Sequence, residues 1–240
     1  MIYSYSNIST FAQCPRKWKY NYVDHIKTIP DTDAGNALWL GLGLHKGIEM
    51  CDVQAGLDEY KSHYNLITDE NVNWMIQLEY QLQKVLQLLP EGGEHEIEIK
   101  LPNFIGFVDY VCGNVMYDFK FTNNIDNYLH SPQLSLYKHY LSIVRPDIYI
   151  EHTKFMFVPK INIRQKKDES IFEFRKRLQE HLEASEIKFV EVPYSEDSVT
   201  QFEGACQTLD HIENFPKNET RLCSWCHYEA LCKRGEDWMI

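Results

Sequence analysis

Asp109, Asp118 and Lys120 are the residues of this sequence whose types and spacing best suit chemistry. Two facing carboxylates repel one another unless a cation lies between them, and a divalent metal ion is the obvious cation. The alternative interpretation is a solvated hairpin with incidental charges. The neighbouring lysine and the apolar character of the opposite strand face favour the metal site.

The alternation of apolar and polar residues predicts the hairpin that brings these side chains together. Residues 104–112 and 115–121 alternate as half-buried strands do, and Gly113-Asn114 between them is typical of a two-residue turn. The register set by this turn places Asp109 opposite Asp118, with side chains about 5 Å apart. The other face carries the residues that a sheet buries against a core: Val108, Tyr110, Cys112, Val115, Tyr117, Phe119 and Phe121.

Length and composition predict a globular chain. With 240 residues, 44% of them hydrophobic, we expect one domain with a substantial core. No apolar run reaches membrane-span length and the N-terminus lacks a signal-peptide pattern, so a cytoplasmic location is expected. The net charge of −11 argues against a nonspecific nucleic-acid coat protein. Any nucleic-acid site must therefore be local, and the basic clusters at 16–19, 160–167 and 175–177 are candidates.

Four of the seven cysteines have the spacing of a ligand set. Cys223, Cys226 and Cys232 form a C-x2-C-x5-C cluster, and a fourth ligand would complete a tetrahedral thiolate set for zinc or an iron–sulfur cluster. Cys14, which precedes Pro15, is the candidate, and His227 is the rival. The remaining cysteines lie in apolar segments, where we expect ordinary buried side chains: Cys51, Cys112 and Cys206.

Hydrophobic periodicity, together with the residues that begin and end helices and strands, predicts a mixed sheet flanked by helices. Predicted helices cover about 6–23 with a break at Pro15, 36–51, 70–89, 131–144, 170–184 and 196–214. Predicted strands outside the hairpin cover about 95–101, 149–158 and 188–193. Helical spacing places His45 and Glu49 on one face, and likewise Gln133 and Tyr137. Glu98 is expected to be an exposed strand residue.

In this order the motifs resemble the PD-(D/E)xK nuclease superfamily, and most closely its RecB-like branch. They are Gly41-Leu-Gly-Leu-His45-Lys-Gly-Ile-Glu49, Gly106-Phe-Val-Asp109, Asp118-Phe-Lys120 and Gln133-Leu-Ser-Leu-Tyr137. The Tyr5–Trp18 segment and the late cysteine triplet also look like the iron–sulfur members of that branch, which include CRISPR-associated exonucleases and the nuclease domain of a bacterial recombination helicase–nuclease.

The resemblance implies a restriction-endonuclease-like core and a metal-dependent phosphodiester hydrolysis. Mg²⁺ or Mn²⁺ would be held by His45, Asp109, Asp118 and the backbone carbonyl of Phe119, polarising the phosphate and lowering the pKa of bound water. Lys120 would orient or help deprotonate that water and offset charge in the transition state. Glu49 is a further candidate for this site.

The resemblance also implies contacts outside the metal site. Gln133 and Tyr137 would contact the nucleic-acid backbone near the scissile phosphate, with core packing as the alternative for Tyr137. A [4Fe-4S] cluster, with zinc as the alternative, would join the N- and C-terminal segments through Cys14, Cys223, Cys226 and Cys232. Residues 1–240 would then be a single nuclease domain, in which 1–35 and 215–240 form the cysteine module and 36–214 the helical insertion and catalytic core.

The expected function is that of a DNA nuclease, an exonuclease on single-stranded or frayed ends in recombination, repair, or phage or CRISPR DNA processing. The alternatives are a structure-specific or nicking endonuclease with the same site, and a catalytically idle iron–sulfur DNA-binding or adaptor module. Expected partners are DNA and recombination, helicase or CRISPR-adaptation proteins, with self-association left open and no membrane partner.

Overall fold

A computed structural model describes residues 1–28 and 32–234, with the side chain of Arg234 outside the description. The helices are α1 Tyr5–Gln13, α2 Pro15–Tyr22, α3 Ala37–Glu49, α4 Val53–Ser62, α5 Asp69–Leu88, α6 Asp126–Leu129, α7 Gln133–Val144, α8 Ile171–Ala184, α9 Glu196–His211 and α10 Glu229–Arg234. The strands are β1 Glu94–Lys100, β2 Ile105–Cys112, β3 Val115–Phe121, β4 His152–Val158 and β5 Lys188–Glu191. A short 3₁₀ helix covers Arg221–Trp225.

The five strands form one mixed sheet in the order β1-β2-β3-β4-β5. The β2–β3 pair is antiparallel with Cys112 opposite Val115, which confirms the predicted hairpin register. The β3–β4 pair is parallel, and β4–β5 is antiparallel. Gly113 has φ +58°, a left-handed conformation that glycine adopts without strain. The mixed sheet flanked by helices is therefore confirmed.

The described residues divide into two compact units, the larger of which spans 32–99 and 107–194. Its main core lies between the sheet and helices α3, α4 and α5. Most of the apolar strand face predicted from alternation lies in or against this core, with Tyr110, Tyr117, Phe119 and Phe121 all buried. On the other side, Leu40, Leu44 and Ile48 of α3 are completely buried.

Helix α3, which carries His45, is fixed by its cap and by close packing. The Asn36 side chain accepts hydrogen bonds from the N–H groups of Leu38 and Trp39, so the helix begins where the sequence indicated. A Cβ atom at Gly56 of α4 would lie only 2.6 Å from the Gly43 carbonyl oxygen of α3. Glycine at this position therefore allows the two helix backbones to pack closely.

The smaller unit consists of 1–28, 100–106 and 195–234. Its N-terminal helices contact the segment that follows α9: Trp18 stacks on Phe215 at 5.5 Å, and Arg16 Nε donates a hydrogen bond to the Phe215 carbonyl. Asn218 donates from its amide to the Gln13 carbonyl. The early and late segments of the chain are therefore held together by direct contacts.

Helices α4 and α7 differ locally from the predictions. Helix α4 was not predicted, because the segment after Ile48 carries no recognised motif, yet Asp52 caps it by accepting the Gln54 N–H. Helix α7 has Pro132 rather than Ser131 as its N-cap residue, while the Ser131 hydroxyl still accepts the Gln133 N–H at 3.3 Å. Within the described ranges, no helix is both long and apolar enough to cross a membrane.

Candidate active site

His45 reaches from α3 to the sheet and contacts two groups at the β2–β3 pair. Its Nδ1 atom lies 3.3 Å from Asp109 Oδ1, and its Nε2 atom lies 3.1 Å from the Phe119 carbonyl oxygen. Three of the groups predicted to bind metal therefore lie together: His45 on α3, Asp109 on β2 and the Phe119 carbonyl of β3. Asp109 also accepts the Phe119 N–H at 2.7 Å, which fixes its carboxylate beside β3.

Asp118 and Lys120 form a buried ion pair on β3. Asp118 is 1% exposed, and Lys120 Nζ lies 2.5 Å from its Oδ2 atom. The Gln133 amide donates to Asp118 Oδ1 at 2.7 Å, and Gln133 is itself buried. Gln133, which was predicted to contact the substrate backbone, therefore contacts a carboxylate of the site. The sequence spacing did not indicate this contact.

Two aromatic residues complete the surroundings of this ion pair. Lys120 Nζ lies 5.5 Å from the ring centre of Tyr128 on α6 and 5.7 Å from that of Phe155 on β4. Both are cation–π distances. The Tyr137 hydroxyl accepts from the Gln133 amide at 3.3 Å. Tyr128 was not predicted, and the sequence around the four-residue helix α6 carries no signal that would have identified it.

Burial and charge shift the pKa values of these groups in different directions. Burial alone would lower the pKa of His45, but the charge and hydrogen bond of Asp109 raise it to about 9. Burial would raise the pKa of Asp109, but the charge of His45 holds it below its usual range. Burial raises the pKa of Asp118 to about 6, and the charge of Lys120 only partly offsets that effect. At neutral pH the site therefore contains two positively charged side chains, His45 and Lys120, beside the two carboxylates.

The donor set fits a hard or borderline divalent metal ion. It combines carboxylates and a peptide carbonyl, which both Mn²⁺ and Mg²⁺ bind, with an imidazole, which suits Mn²⁺ better than Mg²⁺. Among the described residues, Asp118 Oδ2 is buried without an aligned hydrogen-bond partner, although the Lys120 ammonium is its close ion-pair partner. A buried carboxylate oxygen in this condition is suited to ligation.

Glu96 joins this site and was missed by the sequence analysis. One ligand atom each of His45, Glu96 and Asp109 lies within 4.8 Å of the others. Glu96 has φ +49°, an uncommon backbone conformation for a non-glycine residue, and this interrupts the alternation of β1. Glu98 is exposed, as predicted. Because the acidic residues of β1 alternate, the sequence alone could not indicate which one turns inward.

The candidate cysteines all lie in the smaller unit. The pKa of Cys232 is raised by burial and by the neighbouring Cys14 and Cys226, and lowered in part by Lys217 and Arg16. The four sulfurs do not form a compact set: among described residues, no group of three cysteine ligand atoms lies within 4.8 Å.

Some residues of the predicted basic clusters are engaged in structural contacts. Arg175 donates to Asn73 and Asp69, and Arg177 pairs with Glu169. These contacts engage both arginines of the 175–177 cluster within the larger unit. Lys160 lies over the rings of Trp74 and Phe121, within the packing of the larger unit.

Comparison with known proteins adds evidence on the fold. A structure from Eubacterium rectale, described as a candidate exonuclease, is similar with a TM-score of 0.62 and 12% identity, covering 95% of this chain and 87% of that one. The structure of SSO0001 has a TM-score of 0.41 and 15% identity, covering 94% and 84%, and is too distant to support an argument. No curated protein sequence matches significantly.

The sequence profile described as the PD-(D/E)XK nuclease superfamily matches residues 2–233, nearly the whole chain. The match includes the hairpin with Asp109, Asp118 and Lys120, and the helix with His45. Family match, mixed sheet and site geometry agree. The chain belongs to the PD-(D/E)XK nuclease superfamily.

Proposed function

We propose that this chain is a metal-dependent deoxyribonuclease that acts as an exonuclease on single-stranded or frayed DNA ends. The main support is the convergence of His45, Asp109 and the Phe119 carbonyl, with the Asp118–Lys120 pair on the adjoining strand. The exonuclease description of the Eubacterium rectale structure is consistent with this assignment.

The residues that would hold the metal ion are His45, Asp109, Asp118 and the Phe119 carbonyl, with Glu96 as a further candidate. A bound divalent ion supplies Lewis acidity, which polarises a phosphoryl oxygen and lowers the pKa of a coordinated water. Asp109 is held by the Phe119 N–H, so its carboxylate is oriented before any ligand binds. Such preorganisation avoids reorganisation of the site during the reaction.

Lys120 would act on the water and on the developing charge. Its ammonium is paired with Asp118, whose charge, together with that of Asp109, raises the lysine pKa despite burial. Lys120 is therefore protonated at neutral pH, and its role is to orient the nucleophile and offset negative charge on the phosphate oxygens. Gln133 would position Asp118 through its amide.

We also propose a [4Fe-4S] cluster at Cys14, Cys223, Cys226 and Cys232, and with it membership of the RecB-like branch. Electrostatic interactions of Cys232 with Cys14 and Cys226, and the contacts between the early and late segments, support a shared site. A single zinc ion on the same four residues is the alternative. The cluster would stabilise the smaller unit, since it links residues distant in sequence.

The test is a cleavage assay on anaerobically purified protein with end-labelled linear and closed circular DNA, in single- and double-stranded forms. Mononucleotide release from linear single strands, dependent on Mg²⁺ or Mn²⁺, is the expected result. Cleavage of closed circles would instead indicate an endonuclease. Absence of cleavage with either metal, in protein that carries its cluster, would contradict the nuclease assignment and favour an adaptor module.

A further inference from the structure

Helix α3 exposes apolar side chains on the face that carries His45. Leu40, Leu44 and Ile48 are completely buried against the core, as expected for an amphipathic helix. On the opposite side, Leu38 is 58% exposed and Leu42 is 39% exposed. We call Leu38 and Leu42 the α3 ridge.

The α3 ridge is continuous with the candidate active site. At about 100° per residue, Leu38, Leu42 and His45 lie within roughly 60° of one another around the helix axis. At about 1.5 Å per residue, Leu42 lies about 4.5 Å and Leu38 about 10 Å along that axis from His45. A strand whose phosphate sits at His45 therefore has its adjoining nucleotides within reach of the ridge.

The chemistry of the ridge suits nucleobases rather than phosphates. Gly41, on the same side of the helix, would meet nothing within 4 Å if it carried a Cβ atom, so the surface there is open. The nearby cation Lys46 is paired with Glu49 at 2.9 Å. Phe107, two residues before Asp109 on β2, adds a 45% exposed aromatic ring on the strand face of the carboxylate.

We propose that the α3 ridge binds the nucleobases of an unpaired strand next to the scissile phosphate, an inference that rests on the proposed nuclease function. Bases in a duplex are stacked and paired, so they offer their faces to such a ridge only where the strand is single or frayed. Sequence-tolerant contact with base faces is a common mode of single-strand binding. The ridge would thereby select the substrate class.

The overall charge of the chain supports a contribution of this kind. At a net charge of −11, the chain has little capacity for the counterion-releasing contacts that usually dominate nucleic-acid affinity. Apolar contact with bases does not depend on counterion release. Affinity contributed by the ridge should therefore be almost independent of salt concentration.

The experiment measures binding of a fluorescent single-stranded oligonucleotide by anisotropy in a Lys120→Ala background, which prevents turnover. The double substitution Leu38→Ala and Leu42→Ala should weaken binding about tenfold, equivalent to about 1.4 kcal/mol, with an unchanged salt dependence. An oligonucleotide with abasic sites near its end should bind the background protein equally weakly. Combining the leucine substitutions with the abasic strand should cause no further loss.

Leu88→Ala is the matched control, because Leu88 is a helical leucine with 50% exposure on α5, and it should bind normally. Thermal unfolding of each variant verifies the fold. Unchanged affinity in the ridge variant, or full additivity with the abasic strand, would overturn the proposal and indicate a different occupant such as a partner protein. If the unsubstituted chain neither binds nor cleaves DNA, the proposed function itself fails.

Discussion

The His45 imidazole lies 3.3 Å from the Asp109 carboxylate while its other nitrogen lies 3.1 Å from the Phe119 carbonyl oxygen. Both ring nitrogens therefore face oxygen atoms. A protonated imidazole satisfies this arrangement, because both nitrogens are then donors. The same atoms would ligate a metal ion, so a proton and a metal compete for one site.

Metal affinity should increase with pH. The His45 pKa is raised to about 9, so the imidazole must lose a proton to bind metal at neutral pH. Below that pKa, the affinity should rise up to about tenfold per pH unit, with about one proton released per ion. Calorimetry in buffers of different ionisation enthalpy would measure the released proton. His45→Ala should abolish this proton release, and its persistence in that variant would contradict the assignment.

The raised pKa of His45 has the opposite effect on the stability of the metal-free protein, which should decrease as the pH rises. A folded-state pKa of about 9, above the unfolded value of 6.5, means that protonated His45 stabilises the fold. This contribution is fully present below about pH 6.5 and is lost as the pH rises through about 9. Thermal unfolding of the metal-free protein and of His45→Ala should therefore converge at high pH.

Substitutions at His45 and Lys120 should respond differently to metal concentration. His45→Ala should weaken metal binding, so more metal should partly restore cleavage, with Mn²⁺ more effective than Mg²⁺ because imidazole suits it better. Lys120→Ala should not be rescued, because Lys120 acts on water and charge. Measuring the cleavage rate of both variants across a range of metal concentrations tests this. Rescue of Lys120→Ala to the rate of the unsubstituted protein would exclude Lys120 from the proposed chemistry.

Replacing Lys120 should also affect the stability of the fold. Asp118 is only 1% exposed, so Lys120→Ala leaves an unpaired buried carboxylate that must take up a proton or destabilise the fold. Activity assays should therefore be accompanied by unfolding measurements.

Gln133→Ala should impair the site through Asp118. The Gln133 amide holds Asp118 Oδ1 at 2.7 Å, and removing such a supporting contact typically costs about 10- to 100-fold in metal affinity or activity. Higher metal concentrations should recover part of the loss. Tyr137→Phe, which removes the neighbouring hydroxyl but keeps this contact, is the control. Normal metal affinity in Gln133→Ala would show that the amide serves another purpose, such as the predicted substrate contact.

Two glycine substitutions should separate helix packing from helix propensity. Gly56→Ala places a Cβ atom 2.6 Å from the Gly43 carbonyl oxygen, so we expect destabilisation of about 1–3 kcal/mol. Gly41→Ala meets nothing within 4 Å and should be neutral or stabilising by about 0.5–1 kcal/mol. Denaturant unfolding of both variants measures the difference. Equal stabilities would contradict the close approach of α3 and α4.

The proposed cluster should give a brown protein with broad visible absorption after anaerobic purification. Cys14→Ser and Cys226→Ser should both lose iron and stability, whereas Cys206→Ser, in the same unit, should lose neither. Iron analysis, absorption and thermal unfolding test this. A colourless protein with stoichiometric zinc would contradict the iron–sulfur assignment, and full iron content in the Cys14 variant would point to His227 as fourth ligand.

Local patterns predicted more of this molecule than long-range contacts did. The hairpin register follows from a two-residue turn and strict alternation, so the positions of Asp109 and Asp118 could be derived. The Gln133 contact to Asp118 depends on where α7 crosses the sheet, which no local spacing determines. The inward position of Glu96 depends on a left-handed backbone conformation within β1. Because the glutamates of β1 alternate, the sequence does not show which of them adopts it.

The parallel pairing of β3 with β4 also bears on the order in which the chain folds. The β2–β3 hairpin closes over a two-residue turn, whereas β4 pairs with β3 across a longer crossover that contains α6 and α7. That crossover brings Tyr128 and Gln133 to Lys120 and Asp118. A partly folded chain with the hairpin alone would hold both acids without the neighbours that fix them, so competence for cleavage should arise late in folding.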